Sequence, residues 1–176
     1  MKHLIRTRGI ADADWPQVAA LEAEAYTDPS LTEGEELLRS RARASAGTCF
    51  ALDVDGQLAG YVLALPYPRF RCPDLTRPEG VVHHSVNLHL HDLVVTAPLR
   101  RRGLGTRLVR RLTDEARARG FETMSLIAVA GRETFWRANG YRPHPGTRLP
   151  PGYGGDAVYM VAQMAASRPH EGRDAV

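Results

Sequence analysis

The residues best suited to chemistry begin at a turn rich in arginine and glycine, residues 100–106. This turn follows an apolar run ending at Val95 and precedes a helical pattern, and its glycines, Gly103 and Gly105, lie one residue apart. Glycine lets a phosphate oxygen approach the backbone, and the first N–H groups of a helix lack internal partners and attract anions. The three consecutive arginines at residues 100–102 would add charge-assisted contacts. The pattern therefore predicts a site for a pyrophosphate group.

Two better-known phosphate motifs do not match this turn. A P-loop would need Gly-Lys-Ser/Thr at the end of the glycine run, and no lysine stands there. A dinucleotide fingerprint would need a third glycine three residues after Gly105, where the chain has Leu108. Two other interpretations stay open. In the first, the turn only connects a strand to a helix and binds nothing. In the second, it belongs to a basic surface for nucleic acid made of residues 100–102, Arg107, Arg110 and Arg111.

A second group of candidates lies on the strand before the turn. His89 and His91 are two residues apart, so regular alternation places both on one face of the strand and Asp92 on the other. Histidine titrates near neutral pH and can take the proton that an alkylammonium must lose before it attacks a carbonyl carbon. The pair is therefore predicted to be a proton path. The alternatives are two packed strand histidines, or a zinc site that adds His83 and His84.

The elements before these candidates indicate a mixed α/β domain. A first strand is predicted at residues 3–8, and Asp12 or Asp14 can cap a helix that has Pro16 in its first turn. A second helix is predicted at residues 33–46. Asp55-Gly56 then predicts a tight hairpin between strands at 49–54 and 57–65, and a long loop follows at 66–87.

The later elements hold the candidates themselves. The helix after the turn has apolar residues at i+4 intervals, namely Leu104, Leu108, Leu112 and Ala116. The predicted order is a strand at 88–95, this helix at 103–119, a strand at 123–129, a helix at 132–139, a loop at 143–155 and a strand at 158–164. This order predicts one mixed sheet with helices on it.

Bulk composition is that of an ordinary globular protein. The chain has 176 residues, of which 43% are hydrophobic and 24% charged, a net charge of +3 and a pI of about 9.1. This length suits one domain, and the mild basic excess decides little about nucleic acid. With neither a secretion signal nor an apolar run of about 20 residues, we expect a cytoplasmic protein with reduced Cys49 and Cys72.

The turn and a second motif together resemble the GCN5-related N-acetyltransferase (GNAT) superfamily. Its Arg/Gln-x-x-Gly-x-Gly/Ala signature is matched at residues 100–105, after a strand that ends in Leu-Val-Val, and its aromatic pair with a Gly-aromatic step is matched at 135–141. The resemblance covers about residues 3–165. It implies an α/β fold with a mixed, mostly antiparallel sheet of six to seven strands, splayed central strands and flanking helices. We expect this domain at residues 1–166 and a disordered tail at 167–176.

The resemblance implies acetyl-CoA as acyl donor and no metal. The donor would be held by Leu93, Val94, Val95, Arg100, Arg101, Arg102, Gly103, Leu104, Gly105, Thr106, Phe135 and Trp136. The implied reaction moves the acetyl group to the primary amine of a small molecule by direct attack on the thioester. A protein N-terminus or lysine as acceptor, and a non-catalytic acyl-CoA-binding module, stay open. Acceptor choice is expected in residues 26–36, 66–87 and 143–157. No nucleic-acid or membrane partner is expected, and a homodimer is compatible with the resemblance.

Catalytic residues are implied less completely. The His89-x-His91 spacing is similar to a strand of serotonin (arylalkylamine) N-acetyltransferase, in which such a pair relays the proton of the amine. The chain departs from the family at Trp136, where many members carry a tyrosine that protonates the leaving thiolate. An indole N–H donates a hydrogen bond but does not supply a proton. Tyr153 and Tyr159 are therefore the candidates for that acid.

Overall fold

The computed structural model describes residues 2–165, so the predicted tail at 167–176 lies outside the described residues. The strands are β1 (Ile5–Gly9), β2 (Phe50–Val54), β3 (Gln57–Pro66), β4 (Asn87–Val95), β5 (Thr123–Ala128), β6 (Arg142–Pro143) and β7 (Val158–Gln163). The helices are α1 (Trp15–Ala25), α2 (Glu35–Ala44), α3 (Leu104–Ala118) and α4 (Glu133–Ala138). Every predicted element is present, with ends that differ by at most two residues, and the short β6 is additional.

The seven strands form one sheet in the order β1-β2-β3-β4-β5-β7-β6. All neighbours are antiparallel except β4 and β5, which are parallel because α3 connects them as a crossover. The predicted mixed and mostly antiparallel sheet is therefore confirmed.

The central strands β4 and β5 separate after a short contact. Their pairing covers only three residue pairs, Asn87–Thr123, Leu88–Met124 and His89–Ser125. Beyond His89, β4 continues to Val95 along β3, while β5 continues along β7. The sheet thus opens between the two strands, and one edge of the second half of β4 has no strand beside it.

A β-bulge lies at the point where this opening begins. In the pairing of β3 with β4, Leu63 lies opposite Asp92 and Ala64 opposite Leu90, so His91 is an extra residue on β4. The extra residue breaks the alternation of side chains. His91 contacts Glu33 and Asp92 accepts a hydrogen bond from Tyr26, and all four residues line one cavity on the side of α1 and α2. The prediction that Asp92 points away from the histidine pair is therefore wrong.

Helices cover both faces of the sheet. The α1 and α2 face contains a core that includes Trp15, Val18, Leu38 and Tyr61. On the other face, the four apolar positions predicted on α3 are all buried against the sheet. This packing sets the position of the first turn of α3 relative to β4. Within residues 2–165, no helix is both long and apolar enough to cross a membrane.

The long loop at residues 67–86 is fixed to the body of the domain. Several hydrogen bonds hold its backbone. Among them, Tyr159 Oη accepts from Phe70 N at 2.9 Å, Tyr153 Oη donates to the Pro73 carbonyl at 2.6 Å, and Arg41 Nη2 donates to the Asp74 carbonyl at 2.7 Å. The loop is therefore a wall of the domain on the α2 side.

We expect Leu112→Ala to lower the free energy of unfolding by about 2–5 kcal/mol, because it leaves a cavity under α3. Urea unfolding followed by circular dichroism measures this change. The control is Arg110→Ala on the exposed side of the same helix, which should change stability by less than about 0.5 kcal/mol. Equal stability of both variants would contradict the packing described above.

Candidate functional site

The backbone between β4 and α3 forms a compact turn, of a kind that can surround an anion. After Val95 the chain makes a short 3-10 turn, Ala97–Leu99, and then two residues adopt left-handed backbone angles, Arg101 with φ 63° and Gly103 with φ 76°. Gly103 is the N-cap residue of α3, a position at which this φ favours glycine. Arg101 has a side chain in the same conformation, which is uncommon and costs free energy. The turn exposes the first N–H groups of α3, which have no partner inside the helix.

A cavity of about 330 Å³ lies against this turn, and we call it the turn cavity. Nine of the residues predicted to bind the donor line it: Leu93, Val95, Arg100, Arg101, Gly103, Leu104, Gly105, Thr106 and Phe135. Leu99 and Arg132 complete the lining. Three predicted residues lie elsewhere. Val94 is buried in the α1 and α2 core, Arg102 is exposed, and Trp136 lines the neighbouring cavity.

Two features of the residues that line the turn cavity suit a ligand that contains phosphate. Arg100 Nε donates to the Val95 carbonyl at 2.9 Å, which fixes this guanidinium at the end of β4. Gly105 lies against Phe135, and a Cβ atom at Gly105 would approach Phe135 Cζ to 3.2 Å. A larger side chain would therefore fill the space beside the helix N-terminus, where N–H groups and the helix dipole favour an anion.

Two smaller cavities continue from the turn cavity through the opening in the sheet. The first, of about 50 Å³, shares Leu93, Arg132 and Phe135 with the turn cavity and also touches His91; we call it the splay cavity. The second, of about 40 Å³, is lined by Glu22, Tyr26, Leu31, Glu33, Leu75, His91, Asp92, Ile127, Val129 and Tyr153, and we call it the acidic cavity. Consecutive cavities share lining residues, so the three lie side by side between the turn at residues 100–106 and His91.

His91 lies where the splay and acidic cavities meet. Its side chain is 2% exposed, and its Nε2 atom contacts the carboxylate oxygen Oε1 of Glu33. The other oxygen of that carboxylate accepts from Arg41 Nη2 at 2.7 Å. Burial raises the pKa of Glu33, but the charges and hydrogen bonds of His91 and Arg41 outweigh burial and hold it below its usual value. Among the described residues, His91 Nδ1 has no hydrogen-bond partner.

His89 has a different environment although it shares the strand. Its Nδ1 atom lies 2.9 Å from Ser125 Oγ, and its ring stacks on Tyr159 with 6.5 Å between centroids. Burial, followed by the nearby charges of His91 and Arg41, lowers the pKa of His89 to about 3. His89 is therefore neutral at physiological pH.

The two candidate tyrosines both contact the long loop. Tyr153 lines the acidic cavity, and its hydroxyl donates to the Pro73 carbonyl. Burial raises the pKa of Tyr153 well above its usual value, so the hydroxyl keeps its proton. Tyr159 packs on His89, and its hydroxyl accepts from Phe70 N.

The sequence analysis gave no role to Glu22 and placed Asp92 on the wrong face of β4, whereas Tyr26 lies in the 26–36 segment expected to choose the acceptor. Asp92 is buried and accepts from Tyr26 Oη at 2.5 Å and Tyr61 Oη at 2.6 Å. Burial raises the pKa of Asp92, and the two hydroxyls partly oppose this effect. Glu22 did leave a signal in the sequence, because it stands four residues after Val18 on the apolar face of α1, where a glutamate is unusual.

No group of three or more histidine, cysteine, aspartate or glutamate side chains is arranged for a metal ion among residues 2–165. His83 lies instead against Tyr67, with 4.5 Å between ring centroids, and near Glu79.

A protein-family model described as the acetyltransferase (GNAT) family matches residues 15–140, which contain the turn, β4, β5 and the aromatic pair of α4. The chain belongs to the GNAT acetyltransferase family. The predicted family and fold are thereby confirmed. The finer similarity of the histidine strand to serotonin N-acetyltransferase stays a prediction.

Solved structures show the same fold in other GNAT proteins. Ard1 from Thermoplasma volcanium is 16% identical, with a TM-score of 0.73, over 92% of this chain and 98% of that chain. The ribosomal-protein-S18-alanine N-acetyltransferase of Escherichia coli is 17% identical, with a TM-score of 0.67, over 95% and 98%. N-acetylglutamate synthase from Neisseria gonorrhoeae, complexed with coenzyme A and N-acetyl-glutamate, is 15% identical with a TM-score of 0.65, over 92% of this chain and 35% of that one. No curated protein matches the sequence significantly.

Glu22 supplies a test of the electrostatics of this GNAT site. Burial raises its pKa to about 7, against two backbone N–H donors, Glu33 N and Gly34 N, that lower it. The folded protein therefore keeps a proton on Glu22 at pH values where the unfolded chain has lost it. This contribution to stability is complete below the ordinary glutamate pKa and is lost as the pH rises toward about 7.

We expect Glu22→Gln to remove the part of the pH dependence that Glu22 causes between about pH 4.5 and 7. Urea unfolding of both proteins across this interval gives the difference, and Glu24→Gln, on the exposed side of α1, is the control. An unchanged difference between wild type and Glu22→Gln at every pH would show that Glu22 does not titrate there.

Proposed function

We propose that this GNAT protein is an N-acetyltransferase that moves the acetyl group of acetyl-CoA to the primary amine of a small molecule by direct attack on the thioester. One observation carries the proposal: the turn cavity lies next to the splay cavity, which His91 lines, and Leu93, Arg132 and Phe135 line both cavities. A phosphate site, an open strand edge and a candidate base thus lie next to one another.

The donor would lie along these cavities with its diphosphate at the turn. The N–H groups at the start of α3, together with Arg100 and Arg101, would bind the diphosphate. The free edge of β4 near Val94 offers main-chain groups to the amide-containing arm of the donor, in the manner of an added strand. A β4 N–H on that edge would stabilise the oxyanion that forms when the amine attacks. Four of the similar structures are complexes with coenzyme A or a CoA derivative, which supports this donor.

His91 is the residue proposed to take the proton of the amine. Its side chain lines both the splay and the acidic cavity, and its Nδ1 atom is buried with no partner in residues 2–165. His89 is assigned a supporting role, because its low pKa makes its protonated form unfavourable and its Nδ1 atom is bound to Ser125. The proton path predicted from both histidines is thus reduced to one proton acceptor and one packing neighbour.

No residue is assigned as the acid for the leaving thiolate. Tyr153 is the nearer candidate because it lines the acidic cavity, but it would have to give up its hydrogen bond to Pro73. Trp136 lines the splay cavity and is 7% exposed, so its ring would form part of the wall beside the reacting groups. Release of the thiolate without a protein acid is compatible with this arrangement.

The acceptor side supports a small amine. The acidic cavity is narrow, and Leu31, Leu75 and Tyr153 form its walls, while the fixed loop at 67–86 closes the side toward α2. A protein N-terminus is the second candidate, since the similar structures include a ribosomal-protein-S18-alanine N-acetyltransferase and Naa50 from Arabidopsis thaliana with the bisubstrate analogue CoA-Ac-MVNAL. Their identity of 14–17% supports the fold alone.

Donor binding is tested with Gly105→Val, which places a branched side chain against Phe135 in the turn cavity. We expect calorimetry to show that coenzyme A binds this variant at least about tenfold more weakly than it binds wild type. Gly9→Val is the control, because Gly9 lies at the far edge of the sheet with open space around it. The proposal is wrong if wild type releases no heat with coenzyme A.

Catalysis is tested with acetyl-CoA and a panel of small primary amines and short peptides, with acetylated products identified by mass spectrometry. We expect the amines to be better acceptors than the peptides. We also expect His91→Ala to lower kcat by about 10²- to 10⁴-fold and His89→Ala to have a much smaller effect. Full activity of His91→Ala from about pH 6 to 9 would exclude His91 as the base, and an absence of any acetylated product would favour a non-catalytic acyl-CoA-binding module.

A further inference from the structure

The two nitrogens of His91 meet different surroundings, and this difference determines which of them carries the proton. Nε2 contacts a carboxylate oxygen of Glu33, whereas Nδ1 is buried and has no partner among the described residues. A neutral histidine has one N–H and one lone pair, so the partner of one nitrogen selects the tautomer.

Glu33 can only accept a hydrogen bond at this position. Both oxygens of its carboxylate are engaged, one by His91 and the other by the buried guanidinium of Arg41 at 2.7 Å, and this ion pair favours the ionised form of Glu33. The proton between Glu33 and His91 therefore belongs to Nε2. The lone pair is left on Nδ1, in the side chain that lines both the splay and acidic cavities.

Arg41 in turn fixes Glu33. Arg41 is 1% exposed, and besides Glu33 its guanidinium donates to Glu79 Oε2 at 3.0 Å and to the Asp74 carbonyl at 2.7 Å. The backbone of Glu33 is held as well, since its N–H donates to Glu22 Oε1 at 3.0 Å. A buried charge is tolerated when it is paired and hydrogen-bonded in this way, and the arrangement leaves the carboxylate little freedom to turn.

We propose that Glu33, held by Arg41, is a positioning residue that keeps the proton of neutral His91 on Nε2 and presents the Nδ1 lone pair to the ammonium group of the acceptor. This inference rests on the proposed acetyltransferase function and names the device that makes His91 its base. In the step concerned, an N–H bond of the ammonium breaks and an Nδ1–H bond forms. The positive charge passes to the imidazole ring beside the Glu33 carboxylate, and the amine lone pair becomes free to attack the thioester carbon.

The substitution Glu33→Gln tests this arrangement sharply. Arg41 requires an acceptor, so the amide oxygen of the new side chain should turn toward Arg41 and its NH₂ group toward His91. His91 Nε2 must then accept, which moves the ring proton to Nδ1, where it blocks proton transfer from the amine. The control is Glu36→Gln, an exposed position in the first turn of α2.

Two measurements read out the inference. In ¹⁵N-resolved NMR of the histidine rings, we expect wild type and Glu36→Gln to carry the His91 proton on Nε2 and Glu33→Gln to carry it on Nδ1. In steady-state kinetics, we expect Glu33→Gln to lower kcat by about 10²- to 10⁴-fold with little change in KM for the amine. Glu33→Asp, which keeps the charge, should recover the Nε2 tautomer and part of kcat.

The pH profile of kcat/KM adds an independent test. Loss of the Glu33 charge disfavours a positive charge on the ring, so the acid limb of the profile should move to lower pH in Glu33→Gln. The other titratable or charged groups around His91 are Glu22 of α1, Tyr26 directly after α1, Arg41 of α2, His89 and Asp92 of β4, Arg132 before α4 and Tyr153 before β7. All of them are unchanged in the variant, so a shift reports on Glu33.

Failure of the inference can be told from failure of the proposed function. An Nδ1 proton in wild-type His91 overturns the inference whether or not Glu33→Gln folds, and so does a Glu33→Gln protein with wild-type kcat. If wild type acetylates no amine, the proposed function fails, while the NMR measurement still decides the role of Glu33.

Discussion

Strand β4 loses its neighbour on one side halfway along its length, because pairing with β5 stops at His89 and Ser125. Buried main-chain N–H and C=O groups need hydrogen-bond partners, so a strand edge left open inside a domain is unfavourable unless something occupies it. The turn cavity and the splay cavity lie along this edge. The separation of β4 from β5 thus creates a groove, and this groove is lined by free main-chain groups of β4 and by the start of α3.

The bulge at His91 adds side-chain chemistry to this groove. By placing an extra residue on β4, it brings His91 and Asp92 to the same side, where Glu22 and Glu33 also lie. Three acidic groups in so small a volume would repel each other without compensation. Asp92 is compensated by two tyrosine hydroxyls, Glu22 by two backbone N–H groups, and Glu33 by Arg41 and His91. Each carboxylate thereby has a different environment. For this reason burial raises the pKa of Glu22 to about 7, while the pKa of Glu33 stays below its usual value.

Features set by neighbouring residues along the chain could be predicted from the sequence. The i+4 spacing on α3 and the Asp55-Gly56 hairpin gave elements whose ends differ from the structure by no more than two residues. The turn between β4 and α3 was also predictable, since a strand, a glycine pair and a helix start make it without distant partners, while its binding of a phosphate stays a prediction. The face of Asp92 was not, because the bulge depends on how Leu63 and Ala64 pair with β4. The contact between Glu33 and His91 joins residues 58 positions apart, and no local pattern indicates it.

The difference between locally determined features and contacts between distant residues also explains why similarity of fold says little about the acceptor. The proposed donor site uses mostly main-chain groups, and many sequences can place an N–H group at a helix start, which agrees with a common fold at 14–19% identity. The acceptor side depends on individual side chains of the α1–α2 region and the 67–86 loop, such as Glu33, Leu75 and Tyr26. Those segments can change without disturbing the sheet, because they pack on it from one face. Similar structures accordingly include an N-acetylglutamate synthase and a GNAT-like decarboxylase. The acceptor of this protein must therefore be sought in the side chains around His91, where Glu22, Glu33 and Asp92 lie within one small cavity.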